Sequence, residues 1–515
     1  DKEEAEKSVK IDFDRMEERV VILPMEAGNY ADLSAASGKL IYHKASNTGS
    51  ASNAASLYYY DLKERESKMI LEDADGFELS ADGQKIGIFS NGKIAVVDLQ
   101  PNQKMDKIVS TGDMKTLVDP KAEWKQIFTD AWRLQRDFFY DKNMHGLDWE
   151  AIRKQYEPLI DDAVTRRDVN YVLGEVIGEL NASHTYRGGG DTESGPYTNV
   201  GYLGVDWEQV NGKYRIKSIL KGARWDAEAK SPLNAPGIKV NEGDYILAVN
   251  GIKLDGSREP YAAFAGMAGK TVELMVSSSG NMSDTRKVIV KTMGSEARLR
   301  HLAWIEANRK RVEEATDGQI GYIYVRSTGY DGQNELIRQF MAQIDKKGLI
   351  IDERFNSGGQ IPDRFVELLN RKPLAYFAVR DGKDWKWPNT AVDGPKAMLI
   401  NGWSGSGGDA FPDYFRKTGL GPLIGSRTWG GLIGISGVPQ LIDGGTVSVP
   451  TFRMYDPDGK WFREGYGVEP DIKVGENPGE LARGTDAQLE RAIAYVLEEL
   501  KNYKGDPEHE GYEKR

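Results

Sequence analysis

Four short apolar segments in the second half of the chain constrain its fold more than any other feature. They lie at residues 321–325, 348–352, 397–400 and 422–425, and segments with helical periodicity separate them. Strands that are buried on both faces read as continuous apolar runs, and parallel strands are joined by crossover connections that are usually helical. The alternation therefore predicts a parallel sheet with helices packed against it.

The overall composition narrows the classes of protein to which the chain can belong. Its 515 residues predict about three domains. The net charge is −11 and the basic residues are interleaved with acidic ones, which argues against a nucleic-acid partner. Cysteine is absent, so disulfides, thiolate catalysis and cysteine-ligated metal sites are excluded. No apolar run reaches the roughly 18 residues of a membrane-spanning helix, so we expect a soluble protein.

The start of the sequence carries no recognisable targeting segment. Residues 1–4 are Asp-Lys-Glu-Glu, without an initiator methionine and without a basic segment followed by an apolar one. We therefore expect the chain to be a processed protein or a piece of something longer. The compartment stays open at this point.

Residues 1–118 are expected to form a β domain. Short alternating segments at residues 39–43, 56–61 and 85–98 are separated by Gly, Asn and Asp turns, which is typical of antiparallel strands. Residues 80–98 are similar to part of a β-propeller blade, so we interpret this domain as the C-terminal part of a propeller-like domain. A small β-sandwich is the alternative.

The spacing of apolar residues changes from a strand-like to a helical period near Glu123, and residues 119–192 are expected to form a helical domain. Apolar residues recur at helical spacing from Trp124 onwards, and the clearest helix spans residues 168–180 with Asp168 as its predicted N-cap. Ser183 and His184 follow the end of that helix.

Residues 193–295 resemble a PDZ domain of the kind inserted in bacterial proteases. The similarity rests on residues 201–205 and 235–251. In such domains a peptide adds a strand to a sheet edge, and loop amides receive its terminal carboxylate. The resemblance implies that this loop consists of Tyr202, Leu203, Gly204 and Val205. A small β-barrel that only spaces its neighbours is the alternative.

The remaining sequence completes the predicted α/β domain at residues 296–480. A linking helix is expected near residues 295–315, and the turn residues Asp456–Gly459 predict a hairpin between residues 447–455 and 460–463. Residues 481–515 are predicted to form a C-terminal helix and a charged tail.

Ser406 is the candidate nucleophile. The predicted strand at residues 397–400 leads into small residues and then a helix, and small residues lie two positions before and after Ser406. A sharp turn between strand and helix needs such residues to expose a hydroxyl, and the helix start can aim backbone N–H groups at an oxyanion. Ser404 is the rival nucleophile in this segment, and an ordinary glycine-rich loop is the alternative.

His184 is the candidate base. The chain has five histidines, and the other four lie in a predicted strand, a helix connection, a helix and the tail. His184 precedes Gly188-Gly-Gly190 in a loop that can face a cleft. A second glycine turn, after the predicted strand at residues 348–352, is expected to supply the other half of an oxyanion hole.

The order of these motifs along the chain resembles that in the tail-specific (C-terminal processing) protease family, and within it the tricorn-like branch. The resemblance rests on Ser183-His184, the PDZ-like unit and residues 352–359, 405–409 and 464–471. It implies a multidomain α+β protein with propeller-derived strands, a helical unit, an inserted PDZ-like domain and an α/β serine peptidase core of the ClpP/crotonase-like type. One branch of the family uses a lysine base, but Gly431 stands at that position here, which favours the histidine branch.

The resemblance also implies roles for individual residues. Ser406 would be the nucleophile and His184 the general base, with Ser183 and Glu464 completing a tetrad. Gly358 and Gly407 would provide the oxyanion amides; the tricorn pattern has Asp where this chain has Gly407.

The remaining expectations concern substrate, assembly and location. The resemblance implies peptide substrates, no cofactor or metal, and a homo-oligomer with a hexamer as the assembly to test. It implies the cytoplasm, whereas a removed leader would indicate the periplasm or export. A catalytically inactive peptide- or ligand-binding scaffold and a hydrolase of non-peptide esters or amides remain as alternatives.

Overall fold

The computed structural model describes residues 12–46, 54–226, 229–254 and 256–514 and divides into two compact units. These units are Asp1–Val118 and Asp119–Arg515. No helix in the described ranges is long and apolar enough to cross a membrane. Short 3₁₀ helices lie at Met16–Arg19, Met144–Gly146, Pro232–Asn234, Pro260–Phe264 and Met282–Asp284.

The first unit consists of two antiparallel sheets that share an apolar core. Ile41 and Leu57 from the first sheet and Ile86 and Ile88 from the second are completely buried in one cluster. The four-stranded sheet contains β1 (Asn29–Ala36), β2 (Lys39–Ala45), β3 (Ala55–Asp61) and β4 (Glu66–Leu71), and the three-stranded sheet contains β5 (Gly76–Leu79), β6 (Lys85–Ser90) and β7 (Lys93–Asp98). Both sheets are meanders of neighbouring strands.

The second unit begins with three helices. They are α1 (Pro120–Phe138), α2 (Trp149–Asp162) and α3 (Arg166–Gly178), and the two-residue strand β8 (Arg187–Gly188) follows. The N-cap of α3 is Thr165 and not Asp168, because the Thr165 hydroxyl accepts the Asp168 N–H at 3.2 Å. The Asp168 carboxylate in turn accepts the Thr165 N–H at 2.8 Å, which closes a capping box.

An antiparallel sheet forms the next part of the chain. It contains β9 (Val205–Val210), β10 (Lys213–Ile219), β11 (Tyr245–Val249), β12 (Ile252–Lys253), β13 (Thr271–Ser277) and β14 (Thr285–Lys291). The order is β14-β13-β11-β10-β9, and β12 pairs with β11. Its core is a separate cluster that includes Ile216, Ile246 and Val272.

The last part is built on a five-stranded parallel sheet, as the apolar segments predict. In chain order its elements are α4 (Ala297–Ala315), β15 (Ile320–Tyr324), α5 (Tyr330–Met341), β16 (Gly348–Asp352), α6 (Pro362–Leu369), β17 (Ala375–Phe377), β18 (Trp385–Trp387), β19 (Lys396–Ile400), α7 (Gly407–Lys417), β20 (Leu423–Gly425), β21 (Ile433–Ile435), β22 (Thr446–Val447), β23 (Pro450–Arg453), β24 (Ile472–Lys473), α8 (Pro478–Ala482) and α9 (Ala487–Leu500). The sheet order is β15-β16-β19-β20-β24, with every pairing parallel.

Helices cover both faces of this parallel sheet. Alternate strand residues point to opposite faces, so Ile351 and Met398 pack with α5, α6 and α7 while Ile350 and Ala397 pack with α4 and α9. Helix α9, from the predicted C-terminal segment, thus contributes to the core of the α/β layer.

Residues 433–461 pair differently from the predicted hairpin. Strand β22 pairs with β8, β23 pairs with β21, and only the bridge between Tyr455 and Trp461 closes around the predicted turn. Val447 and Val449 are buried in the core of the helical region, which directs this segment toward β8 instead of toward residues 460–463.

Candidate active site

Ser406 lies at the sharp turn between β19 and α7. Its backbone angles are φ 58° and ψ −118°, a conformation that a residue with a side chain rarely adopts. Its side chain lines a cavity, whereas Ser404 is 0% exposed and its hydroxyl donates to the Glu353 carbonyl at 2.8 Å. The geometry therefore favours Ser406 over Ser404 as a group that can reach a substrate.

His184 is held by two of the residues that the sequence singled out. Its Nδ1 lies 3.0 Å from the Ser183 hydroxyl. The Ser183 backbone N–H donates to Glu464 Oε1 at 3.0 Å, and the Leu432 N–H donates to Glu464 Oε2 at 3.0 Å. The structure thus brings His184, Ser183 and Glu464 together, with the carboxylate acting on the backbone of the loop that carries the imidazole.

The surroundings of His184 keep its imidazole neutral near pH 7. Partial burial lowers the pKa of His184 below its usual value of 6.5, and the nearby Glu464 carboxylate opposes this effect without overcoming it. Because a general base must be unprotonated to accept a proton, the lowered pKa suits that role.

His184 and Ser406 line the same cavity of about 410 Å³. Apolar side chains supply much of the remaining wall: Ala410, Leu432, Ile433, Ile435, Phe452 and Met454. No hydrogen bond joins the two side chains in the described structure. Catalytic contacts of this kind often tighten only when a substrate is bound.

The two glycines predicted to stabilise an oxyanion differ in their backbone contacts. Gly407 begins α7 beside Ser406, and no described group accepts its N–H. The Gly358 N–H donates to Asn356 Oδ1 at 2.8 Å, so it already has an acceptor within the chain. Gly359 lines the cavity instead, and within the described ranges its N–H has no acceptor.

Gly407 is required by a close approach of two chain segments. A Cβ at this position would collide with the Thr328 hydroxyl and the Gly359 carbonyl, and would lie 2.7 Å from the Gly359 nitrogen. The Asp of the tricorn pattern therefore has no room here, and the N–H groups of Gly407 and Gly359 are neighbours.

Gly431 leaves no space for a lysine base. A Cβ at Gly431 would collide with the Trp429 ring and lie 2.8 Å from the Ser183 hydroxyl. The Trp429 ring also packs beside His184, with 5.5 Å between ring centroids. The volume that a lysine stem would need is therefore filled by the tryptophan that supports the histidine.

Contacts between the helical region and residues 438–449 position the His184 loop. Arg166 and Asp443 form an ion pair at 2.7 Å with both side chains almost completely buried. The Gln135 side chain donates to the Ser448 carbonyl at 2.8 Å. Because breaking a buried ion pair leaves an uncompensated charge, these contacts hold the two segments in one arrangement.

The predicted carboxylate-binding loop of the PDZ-like sheet already holds a carboxylate from the same chain. The Gly204 N–H donates to Glu296 Oε2 at 3.1 Å, and Arg300 donates to Glu296 Oε1 at 2.8 Å. The Tyr202 N–H donates to the Met293 carbonyl at 2.9 Å. Leu203 is buried, and Val205 begins β9.

Family models match three separate parts of the second unit. Residues 120–178 match the "Tricorn protease C1 domain", residues 201–295 the "Tricorn protease PDZ domain" and residues 319–474 "Peptidase family S41". Tricorn protease homolog 1 of Streptomyces coelicolor is 34% identical over 514 residues, covering 96% of this chain and 48% of the relative. The chain carries the C1 and PDZ domains of tricorn proteases and a peptidase family S41 domain. This confirms the predicted resemblance.

Two further comparisons agree with this domain assignment. The tricorn protease of Thermoplasma volcanium is 33% identical over 447 residues, covering 86% of this chain and 43% of the relative. A crystal structure of the tricorn protease matches with a TM-score of 0.85 at 30% identity, covering 93% of this chain and 47% of that one. The match confirms the predicted fold class, and the chain spans about half the length of these tricorn relatives.

Two residues of the site were not predicted from the sequence. Gly359 is adjacent to the predicted Gly358, and only the capture of the Gly358 N–H by Asn356 distinguishes the two. Asp409 lies three residues after Ser406 and contacts the backbone on both sides of the cavity. An acidic residue in the first turn of α7 is a signal for a helix cap, but it does not reveal contacts with residues 428–431.

Proposed function

We propose that this chain is a serine peptidase that cleaves peptide bonds through an acyl-enzyme. The proposal rests above all on one observation: Ser406 occupies a strained turn at the start of a helix and shares a cavity with a neutral, oriented His184. Nucleophile, base and orienting groups are the parts that acyl transfer requires.

The first half of the reaction forms the acyl-enzyme. His184 Nε2 accepts the proton of the Ser406 hydroxyl as its oxygen attacks the peptide carbonyl. The N–H groups of Gly407 and Gly359 receive the oxygen that becomes negative, and a single such donor is worth about 10²–10³ in kcat. The imidazolium then gives its proton to the leaving amine, which completes the acyl-enzyme. In the second half of the reaction, His184 deprotonates a water molecule, and this water releases the acyl group.

Ser183 and Glu464 orient the base. The Ser183 hydroxyl at Nδ1 fixes the ring so that Nε2 is the nitrogen available to Ser406. Glu464 holds the Ser183 backbone, and its negative charge stabilises the imidazolium that forms during the reaction.

The substrates are proposed to be short peptides. The largely apolar wall of the cavity favours peptides with an apolar side chain next to the cleaved bond. From the family resemblance we also propose a homo-oligomer, with a hexamer as the assembly to test by light scattering, and a cytoplasmic location.

A matched pair of serine variants tests the peptidase proposal. Wild type, Ser406→Ala and Ser404→Ala would be treated with a fluorophosphonate probe and with an oligopeptide library read by mass spectrometry. We expect wild type and Ser404→Ala to react with the probe at Ser406 and to cleave peptides, and Ser406→Ala to do neither.

Other results identify the competing functions. A folded wild-type protein that neither reacts nor cleaves would indicate the inactive peptide- or ligand-binding scaffold. Turnover of simple esters without any peptide cleavage would indicate the non-peptide hydrolase. Peptide cleavage that survives in Ser406→Ala would assign the reaction to another nucleophile.

A further inference from the structure

Asp409 is a completely buried carboxylate that joins two walls of the active site. It lies at the third position of α7 and is 0% exposed. Its Oδ2 accepts the N–H groups of Ser406 at 2.8 Å and Gly431 at 2.9 Å. Its Oδ1 accepts the Gly430 N–H at 2.7 Å and the Thr428 hydroxyl at 2.5 Å.

These four contacts hold the backbone of Ser406 and a segment that packs beside His184. The Ser406 N–H belongs to the strained residue that carries the nucleophile. The other three donors belong to residues 428–431, the segment in which the Trp429 ring packs beside His184. The next residue, Leu432, donates to the Glu464 carboxylate that holds the Ser183 backbone.

Only an ionised Asp409 can accept all four donors. Burial raises the pKa of Asp409 to about 6, although the four hydrogen bonds act in the opposite direction. Glu353 interacts electrostatically with Asp409, whereas Glu464 and His184 contact Leu432 and Trp429 in and beside the segment that Asp409 holds. Glu353 is itself completely buried, and burial, together with the Asp409 charge, raises its pKa well above the usual range.

We propose that Asp409 is a positioning residue that fixes Ser406 and the Trp429 wall beside His184 in one reactive geometry. The proposal rests on the proposed peptidase function. A neutral side chain of the same size would keep the volume but replace one acceptor oxygen by an NH₂ group that faces backbone donors. The nucleophile and the base would then lose their common support.

The test compares Asp409→Asn with Asp413→Asn, both in α7. Asp413 is also largely buried, but it pairs with Lys417 at 2.6 Å, and no hydrogen bond or ion pair in the described ranges joins it to Ser406, His184 or residues 428–431. We expect Asp409→Asn to lower kcat on the order of 10²-fold with little change in KM, because a small misplacement of reacting groups has effects of this size. Asp413→Asn should stay within about 3-fold of wild type.

The pH profile separates positioning from a general loss of structure. Activity in wild type requires an ionised Asp409 and a neutral His184. Because acid protonates both groups, the acid limb of log kcat/KM plotted against pH should approach a slope of 2. In Asp409→Asn the slope should fall to 1. Unchanged kcat or an unchanged slope in the folded variant would overturn the proposal.

A second variant tests the proposal if Asp409→Asn does not fold. Thr428→Val removes one of the four donors, and we expect a loss of about 10-fold in kcat; wild-type kcat in this variant would overturn the proposal. The underlying function is tested separately, because a wild-type protein without Ser406-dependent cleavage refutes the peptidase function itself.

Discussion

The buried Asp409 carboxylate predicts an unusual pH dependence of stability. In the folded chain its pKa is about 6, compared with 3.8 for an ordinary aspartate, so between these pH values the folded state binds a proton that the unfolded state has lost. Unfolding free energy therefore falls as pH rises through this window and is lowest above pH 6. The difference between the two pKa values corresponds to about 3 kcal/mol.

The measurement compares wild type with Asp409→Asn by urea unfolding from pH 4 to pH 7. All 11 tryptophans lie in the second unit, so their fluorescence follows that unit alone. The unfolding free energy of wild type relative to Asp409→Asn should fall by about 2 kcal/mol between pH 4 and pH 6.5, because part of the full difference lies below pH 4. A constant difference would refute the reasoning.

Asp458 provides a control of opposite sign. It is an exposed turn residue whose pKa the Lys460 ammonium lowers. The stability of wild type relative to Asp458→Asn should therefore rise, and not fall, as pH increases through the acid range. Opposite trends in the two variants would show that burial, and not a general effect of removing a carboxylate, causes the decrease.

Three further predictions concern the base, the excluded lysine and the PDZ-like loop. Because burial lowers the pKa of His184, kcat/KM should hold its plateau at pH 7 and decline only below pH 6.5; a midpoint above 6.5 would contradict this. Gly431→Lys should collide with Trp429 and lower kcat at least about 10²-fold, and active Gly431→Lys lacking His184 would contradict the histidine mechanism. In a Ser406→Ala background, fluorescence anisotropy should show that Glu296→Ala binds peptides with a free C-terminus more tightly than amidated ones. The matched protein that keeps Glu296 should not distinguish them, and discrimination there would mean that the internal carboxylate does not occupy the site.

The parallel sheet was predictable because its signal is local. Each buried strand is a short run of apolar residues, and helical segments between the runs leave parallel pairing as the simplest arrangement. The hairpin predicted around residues 456–459 shows the limit of such reasoning. The predicted turn residues do form a turn. Val447 and Val449, however, pack in the core of the helical region, so the segment before the turn does not form the predicted strand pair.

The parts of the site that escaped prediction depend on contacts between distant residues. The Asn356 side chain accepts the Gly358 N–H, while the Gly359 N–H has no acceptor among the described residues. The Glu296 carboxylate reaches Gly204 across 92 positions, and Asp409 reaches Gly430 across 21. Sequence patterns within one helix or loop carry no information about these distances.

The turn that carries Ser406 is held in place by contacts from other segments of the chain. Ser406 holds a strained conformation, and strain persists only where surrounding contacts over-determine it. Asp409 supplies one such contact by accepting the Ser406 N–H, and the glycine turn at residues 358–359 packs closely against Ser406 and Gly407. The glycine turn follows β16. Arg354 stabilises the end of this strand through buried ion pairs with Asp352 at 2.7 Å and Asp486 at 2.9 Å.

The buried charges around this turn fall into two classes with different consequences. Arg354 is compensated by two carboxylates, so it can stabilise the strand end without leaving an unpaired charge. Asp409 has only hydrogen-bond donors around it and, next to it, a second buried carboxyl group, Glu353. Because burial raises the pKa of Asp409, its ionised form lowers the free energy of unfolding at neutral pH. The same carboxylate accepts four hydrogen bonds from the Ser406 backbone and residues 428–431, and these bonds restrict the segments that carry and flank the reacting groups.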